Sequence, residues 1–183
     1  DVYINNSSIL ASNISGNASA ITGQSVLIQS ESDLTATSIV ADGSVTLQSE
    51  SQLNVFSIVT NGSTKLISPA ISLTGASFGA QLNPLLLSTA DLTLSALGDV
   101  YLNNNDSEYG FTAAAMSFAG SVDGNLDLVQ NGSLSIKEGQ TLSVGKTNLS
   151  STENIVVPGT LSSTGDLSII AGSLGGPGDI QIA

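Results

Sequence analysis

Ser25–Gly43 and Ser44–Gly62 read SVLIQSESDLTATSIVADG and SVTLQSESQLNVFSIVTNG, two consecutive copies of one nineteen-residue unit. Eleven of the nineteen aligned positions are identical. Most of the others keep their chemical type, as Ile28 and Leu47 do. A fixed period of this length is typical of repeat proteins, in which each unit buries its apolar face against the next.

Each copy contains three short runs in which apolar and polar residues alternate. In the second copy these runs are Val45–Leu47, Leu53–Val55 and Ile58–Val59. Alternation with period two favours β-strands, and the Ser, Asn, Asp and Gly residues between the runs favour turns. A helical repeat would need better helix formers than Ser, Thr, Asn and Gly. The unit therefore predicts an all-β fold, with three strands forming one rung of a parallel β-helix.

Two further spacings predict that the same solenoid continues along the chain. The stretch from Asp1 to Asn6 returns, with one Ile-to-Leu change, from Asp99 to Asn104, an offset of 98 residues or about five rungs. Apolar pairs beginning at Leu126, Leu134 and Leu142 then recur every eight residues. At about 19–25 residues per rung and a strand spacing of about 4.8 Å, we expect roughly eight or nine rungs and a rod about 40 Å long.

The solenoid is predicted to be a single segment covering residues 1–183, with two excursions from its rungs. One is expected near 79–90, where Pro84 lacks the backbone N–H that a stacked strand requires. The other is expected near 103–123, where a polar stretch interrupts the pattern. Both chain ends fall within or beside strand patterns, and we interpret them as cuts through a longer solenoid or as products of processing.

The composition excludes several functional classes. The chain has fifteen acidic residues against three lysines, with no histidine and no cysteine, which gives a net charge of −12. A nucleic-acid ligand would need a basic surface, so no nucleic-acid partner is expected. Zinc, iron–sulfur and Ser–His–Asp sites lack their usual side chains. No apolar run is long enough for a membrane-spanning helix.

Acidic residues give two weak candidates for a metal site. Glu31 and Glu50 occupy equivalent repeat positions and should lie on adjacent rungs, where a calcium ion would relieve their repulsion. Asp106 and Glu108 lie in the chain's densest cluster of oxygen ligands. The alternative for both pairs is solvated carboxylates on exposed turns, and no cofactor is otherwise expected.

The polar stretch near residue 103 is also the predicted binding loop, because loops on rigid scaffolds commonly carry function. Its candidate contact residues are Asn103, Asn104, Asn105, Asp106, Glu108 and Tyr109. A carbohydrate-active β-helix enzyme remains an alternative on paper, since glycoside hydrolysis needs two carboxylates. Sugar sites usually contain aromatic residues, and only 4% of this chain is aromatic, so we do not expect an enzyme.

The last third of the chain resembles filamentous-haemagglutinin-like exoproteins. Gly132–Val144, GSLSIKEGQTLSV, resembles a G-x-L-x-V-x-x-G-Q-x-L-x-L stretch of that family, and Ile155–Ala171 resembles the segment that follows it. The resemblance implies a right-handed parallel β-helix that an outer-membrane transporter secretes from a Gram-negative bacterium. It also implies a role in adhesion, in surface fibres or in biofilm structure at the cell surface.

The expected partners are therefore a receptor or glycan on a host or neighbouring cell, or copies of the chain itself. The second possibility corresponds to a self-assembling filament subunit that stacks end to end.

Overall fold

The computed structural model describes residues 2–6, 17–18, 25–104, 115–173 and 177–182. Within these ranges the chain has strands, turns and bends but no helix. The strands stack in parallel as a β-solenoid of about seven turns, which confirms the predicted fold class.

The first sheet forms one long side of the solenoid as a continuous parallel ladder. Its nine strands are, in spatial order, β1 (Val2–Asn6), β3 (Ser25–Ser30), β6 (Ser44–Ser49), β9 (Thr64–Ile67), β11 (Leu85–Ser88), β13 (Val100–Asn104), β15 (Leu126–Gln130), β18 (Thr147–Ser151) and β21 (Leu167–Ile170). The step from one rung to the next ranges from 17 residues (Leu85 to Leu102) to 26 residues (Val100 to Leu126), slightly wider than predicted.

The second sheet forms the opposite wall of the core. Its strands are β4 (Leu34–Ala36), β7 (Gln52–Val55), β10 (Ala70–Gly75), β12 (Asp91–Ala96), β14 (Ala115–Val122), β16 (Ser133–Ile136), β17 (Thr141–Val144), β19 (Ile155–Val157), β20 (Thr160–Ser163) and β22 (Ile180–Ile182). The long strand β14 pairs with β16 through its first half and with β17 through its second half.

A bend at Gly120 allows β14 to pair with both strands. Gly120 has a φ of 132°, and a Cβ added there would lie 1.9 Å from the Leu94 carbonyl oxygen. Only glycine fits a backbone position of this kind. From this bend onward, two short strands of the second sheet replace one long strand in each rung.

A third, smaller sheet closes the amino-terminal half of the solenoid. It consists of β2 (Asn17–Ala18), β5 (Ser38–Ala41) and β8 (Ile58–Thr60). The three predicted runs of the second repeat copy therefore become β6, β7 and β8, one strand in each sheet.

The nineteen-residue repeat fixes the register of the first rungs. Val26 pairs with Val45 in the first sheet, and Leu34 pairs with Leu53 in the second. Each of these pairs is separated by nineteen residues, as the repeat predicts.

The 98-residue repeat also joins strands of one sheet, because β1 and β13 are five rungs apart. Their registers differ, however. Following the ladder from Tyr3 leads to Lys65, Leu86 and then Asn103, two residues beyond Tyr101. The shift of two keeps each side chain on its original face of the sheet.

Strands occupy part of both regions in which excursions were predicted. Residues 79–84 leave the rung, with an antiparallel bridge between Ala80 and Asn83, but 85–88 already form β11. In the second region, 103–104 belong to β13 and 115–122 form β14. The remaining residues, 105–114, lie outside the described part of the chain.

Aliphatic side chains from successive rungs fill the core in columns. One column runs through the second sheet, and each of its residues is at most 2% exposed: Leu34, Leu53, Ile71, Leu92, Phe118 and Ile136. Each fully buried side chain of this size contributes about 1.5–3 kcal/mol to stability.

Polar side chains replace the aliphatic columns at the corner where the first sheet turns into the second. Buried hydroxyl residues occupy this corner on several rungs: Ser30, Ser49, Ser68, Thr89 and Ser151. The Ser68 Oγ lies 3.0 Å from the Ser51 carbonyl oxygen of the preceding rung and 2.9 Å from that of Ala70 in its own. The corner hydroxyls thus satisfy turn carbonyls that the core would otherwise leave unpaired.

Asn104 of β13 continues this polar corner on the rung that follows Thr89. Its Nδ2 donates to the Thr89 carbonyl (2.9 Å) and to the Gln130 Oε1 (2.8 Å). Its Oδ1 accepts from the Thr89 backbone N–H (3.1 Å). Asn104 pairs in register with Leu87 of β11. Its side chain reaches beyond this paired position and hydrogen-bonds to the backbone of Thr89, two residues further along the chain.

We therefore expect Asn104→Ala to destabilise the fold by about 3 kcal/mol, because both backbone groups of Thr89 lose a buried partner. Guanidinium chloride unfolding measures this change. Asn54→Ala, at a half-exposed position of the second sheet, should cost less than about 1 kcal/mol. Equal losses in the two variants would contradict a structural role for the Asn104 network.

Candidate functional site

The two repeat glutamates lie as the sequence predicted. Ser30 and Ser49 pair in the first sheet, and the Glu50 backbone N–H donates to the Ser30 carbonyl, so Glu31 and Glu50 follow at equivalent positions of adjacent rungs. Both side chains are exposed. Two carboxylates alone offer few of the six to eight oxygen ligands that calcium takes.

The predicted binding loop is described only at its start. Asn103 and Asn104 are in β13, whereas Asn105, Asp106, Glu108 and Tyr109 lie outside the described residues. Asn104 is 2% exposed and its amide is fully bonded inside the core, so it offers nothing to an external partner. The Asn103 Oδ1 is buried with no hydrogen-bond partner among the described atoms.

Among the described residues, no three His, Cys, Asp or Glu side chains cluster closely enough to hold a metal ion. A search of the same residues for a helix long and apolar enough to cross a membrane finds none.

A surface cavity on the first sheet is the candidate site, and we call it the Tyr101 groove. Its volume is about 700 Å³, within the range of pockets that hold small ligands. Its polar and aromatic lining residues are Gln81, Tyr101, Asn125, Asp127, Lys146, Thr147, Asn148, Asp166 and Ser168, and its aliphatic lining residues are Leu126, Leu167 and Ile170.

Parallel pairing brings the lining residues together from four successive rungs. Tyr101 pairs with Asp127, Asp127 with Asn148, and Asn148 with Ser168. Side chains in such a column lie on one face of the sheet, about 4.8 Å apart. A second row of lining residues, Asn125, Lys146 and Asp166, occupies the turns that lead into the same strands.

Neighbouring side chains hold several groups of the groove in place. Asn148 Nδ2 donates to Asp127 Oδ1 at 3.2 Å, and both residues are half-buried. Lys146 Nζ lies 3.6 Å from Asp166 Oδ2, but the Lys146 and Asp166 side chains are 63% and 89% exposed. A pair this exposed contributes little to stability, so these two charges remain accessible to a ligand.

The excursion at residues 79–84 closes one end of the groove. Gly79 has a φ of 69°, and a Cβ added there would lie 2.4 Å from the Tyr101 carbonyl oxygen. Glycine therefore lets the excursion pack against the Tyr101 backbone, which brings Gln81 into the lining of the groove. The first predicted excursion thus contributes to the groove through a residue that the sequence did not single out.

A second cavity, of about 570 Å³, lies on the second sheet beneath the turn at residues 137–140. Its floor includes the exposed hydroxyl residues Thr93, Ser95 and Ser121. Lys137 of this turn forms an ion pair with Asp91, two rungs away, and so holds the turn over the sheet.

Sequence reasoning missed most of the Tyr101 groove. Tyr101 was marked only by its match to Tyr3, and the residues opposite it follow after steps of 26, 21 and 20 residues. A search at a fixed period does not align positions whose spacing changes from rung to rung. Aligning the strand starts Val100, Leu126, Thr147 and Leu167 would have shown the column.

The groove offers many hydrogen-bonding groups to a ligand. It combines one half-buried aromatic ring and three aliphatic side chains with three amide side chains, two carboxylates, one ammonium group and the hydroxyls of Thr147 and Ser168. Such a set donates and accepts hydrogen bonds in several directions at once.

No protein-family model, curated protein or solved structure matches this chain. The fold assignment therefore rests on the parallel ladders of the structure. The likeness to filamentous haemagglutinin rests on the sequence motifs alone.

For the glutamate pair, we expect Glu31→Gln to raise the free energy of unfolding by about 0.3 kcal/mol at low salt, because it removes the repulsion from Glu50. The gain should disappear at high salt, where exposed charges are screened. Chemical unfolding at two ionic strengths measures both effects.

Asp42→Asn is the matched control, since the equivalent residue of the next repeat is the neutral Asn61. If millimolar calcium stabilises the native protein more than the Glu31→Gln variant, the pair is instead a calcium site and the expectation fails.

Proposed function

We propose that this chain is a stiff structural segment of a secreted bacterial surface adhesin or fibre protein. In this role it holds binding surfaces away from the cell, or it contributes to an extracellular matrix such as a biofilm. The role is mechanical and interfacial and involves no catalysis. We further propose that a Gram-negative cell exports the protein through an outer-membrane transporter, on the basis of the two sequence motifs.

The observation that carries this proposal is the continuity of the inter-rung contacts. The first sheet pairs nine strands in sequence, and the second sheet follows the same path with eight of its strands. The core columns and the polar corner run alongside these ladders. Because each rung bonds its neighbours on both sides, bending the rod requires stretching many hydrogen bonds together.

The surface chemistry also suits an extracellular spacer. Only 10% of the residues are charged, and acidic residues outnumber lysines by fifteen to three. The net charge of −12 disfavours non-specific association with other polyanions, including nucleic acids and anionic membranes. Contact with a receptor or glycan would then depend on particular loops and grooves.

The second candidate is a filament subunit that stacks end to end, and exposed apolar side chains on the last described strands support it. Leu167 of β21 is 48% exposed, and Ile180 and Ile182 of β22 are 46% and 76% exposed. These residues occupy the columns that on earlier rungs are covered by the next rung. A second copy placed against them would bury this surface.

Electron microscopy of the purified chain over a concentration series separates the two candidates. The structural-segment proposal predicts separate short rods of constant length, whatever the concentration. Filaments that lengthen with concentration and shorten in a Leu167→Asp variant would support end-to-end assembly instead. Compact, globular particles would contradict both.

A further inference from the structure

We propose that the Tyr101 groove is a binding site for a short oligosaccharide that is neutral or carries amino groups, and that it rejects acidic glycans. This proposal deepens the adhesive role and rests on it, since it names the ligand class that the segment would contact. Its support comes from the ring, the hydrogen-bonding groups and the charge of the groove.

The aromatic ring of Tyr101 provides part of the apolar surface of the site, together with the exposed aliphatic side chains of Leu167 and Ile170. Tyr101 is half-buried on the outward face of β13. Its cross-strand neighbour on the next rung is Asp127. Aromatic side chains bury a large apolar surface while their hydroxyl groups keep a polar contact. A sugar ring is matched to this geometry, because its C–H face is apolar and its edge carries hydroxyl groups.

The hydrogen-bonding groups beside Tyr101 suit the edge of the sugar ring. Asp127 accepts a hydrogen bond from Asn148, but an ionised carboxylate has about four acceptor positions, so most remain for ligand hydroxyls. The amides of Gln81, Asn125 and Asn148 supply both donors and acceptors. Cross-strand pairing already fixes the spacing of Asp127 and Asn148. Ligand binding therefore costs little additional side-chain entropy at these two residues.

The charge of the groove selects against acidic ligands. Asp127 and Asp166 outnumber the one lysine, Lys146, whose ammonium group is already beside Asp166. Sulfated, sialylated or uronate-rich glycans would bring further negative charge to a chain of net charge −12. Neutral sugars avoid this repulsion, and an amino sugar would gain attraction from Asp127.

A basic peptide is the main competing ligand, since carboxylates and an aromatic ring also attract lysine and arginine. The lining favours a saccharide, because most of its polar side chains are uncharged. The test therefore includes a basic peptide as a separate probe.

The first experiment presents the fluorescently labelled full chain to an array of neutral, amino-bearing and acidic oligosaccharides, together with an oligolysine peptide. We expect signal on neutral or amino-bearing spots and none on acidic spots or on the peptide. Calorimetry with the strongest oligosaccharide then gives the dissociation constant for the native chain and its variants.

Three groove variants and one control assign the binding to this site. Tyr101→Ala and Asp127→Asn should each weaken binding by about tenfold, which corresponds to about 1.4 kcal/mol. Tyr101→Phe keeps the ring and should stay within about threefold of the native affinity. Phe56→Ala removes an aromatic ring that is 45% exposed outside the groove, and it should change nothing.

The proposal is overturned if no oligosaccharide binds, if acidic glycans or oligolysine bind instead, or if Tyr101→Ala and Asp127→Asn bind as well as the native chain. Circular dichroism and unfolding midpoints identify any variant that has lost its fold. If Tyr101→Ala is lost in this way, the affinities of Asp127→Asn and Tyr101→Phe are compared instead. The particle shape that the electron microscopy experiment measures does not depend on these binding results. Rods without glycan binding would therefore reject the ligand while leaving the structural role intact.

Discussion

The parallel backbone ladder between successive rungs is the constraint on which the rest of the structure depends. It sets equivalent residues about 4.8 Å apart, so the chemistry at one position must be compatible with the same position one rung away. Apolar residues such as Leu53 and Ile71 stack on one another inside the core. Buried polar groups meet the same requirement when a neighbouring rung supplies their partner, as Ser51 does for Ser68.

This constraint explains why the sequence predicted the fold well. Two adjacent copies of a nineteen-residue unit show both the strands and their register, because stacked residues must match in size and polarity. The pairing of Val26 with Val45 and of Leu34 with Leu53 follows directly. The spacing of eight residues likewise predicted β15, β16 and β17 as the three strands of one rung.

Features that depend on a change between rungs were not predictable in the same way. The register shift between β11 and β13 follows from the 79–84 excursion and the short step from Leu85 to Leu102, and neither is visible as a repeat. Asn104 has the same polar appearance as its neighbours Asn103 and Asn105 in the sequence. Its burial depends on the parity of β13, which places Leu102 and Asn104 on the inner face.

The candidate site arises from the same departures from regularity. A uniform solenoid presents uniform columns, and the outward residues Gln29 and Gln48 of the first rungs are one such column. The Tyr101 groove instead combines aromatic, acidic and amide side chains on four rungs, at a position where an excursion adds a wall. The regular ladder supplies rigidity, and the irregular rungs supply the chemical variety that recognition requires.

The most direct test of the account is to join two rungs covalently at their predicted register. The chain has no cysteine, so a double variant with Leu27→Cys and Thr46→Cys places two thiols at directly paired, outward positions of β3 and β6. Parallel stacking predicts rapid intramolecular disulfide formation by mass spectrometry, since directly paired strand residues lie within disulfide reach. A control with Leu27→Cys and Gln48→Cys, two residues out of register, should form it far more slowly. Equal rates in the two variants, or disulfides only between chains, would contradict the stacked solenoid.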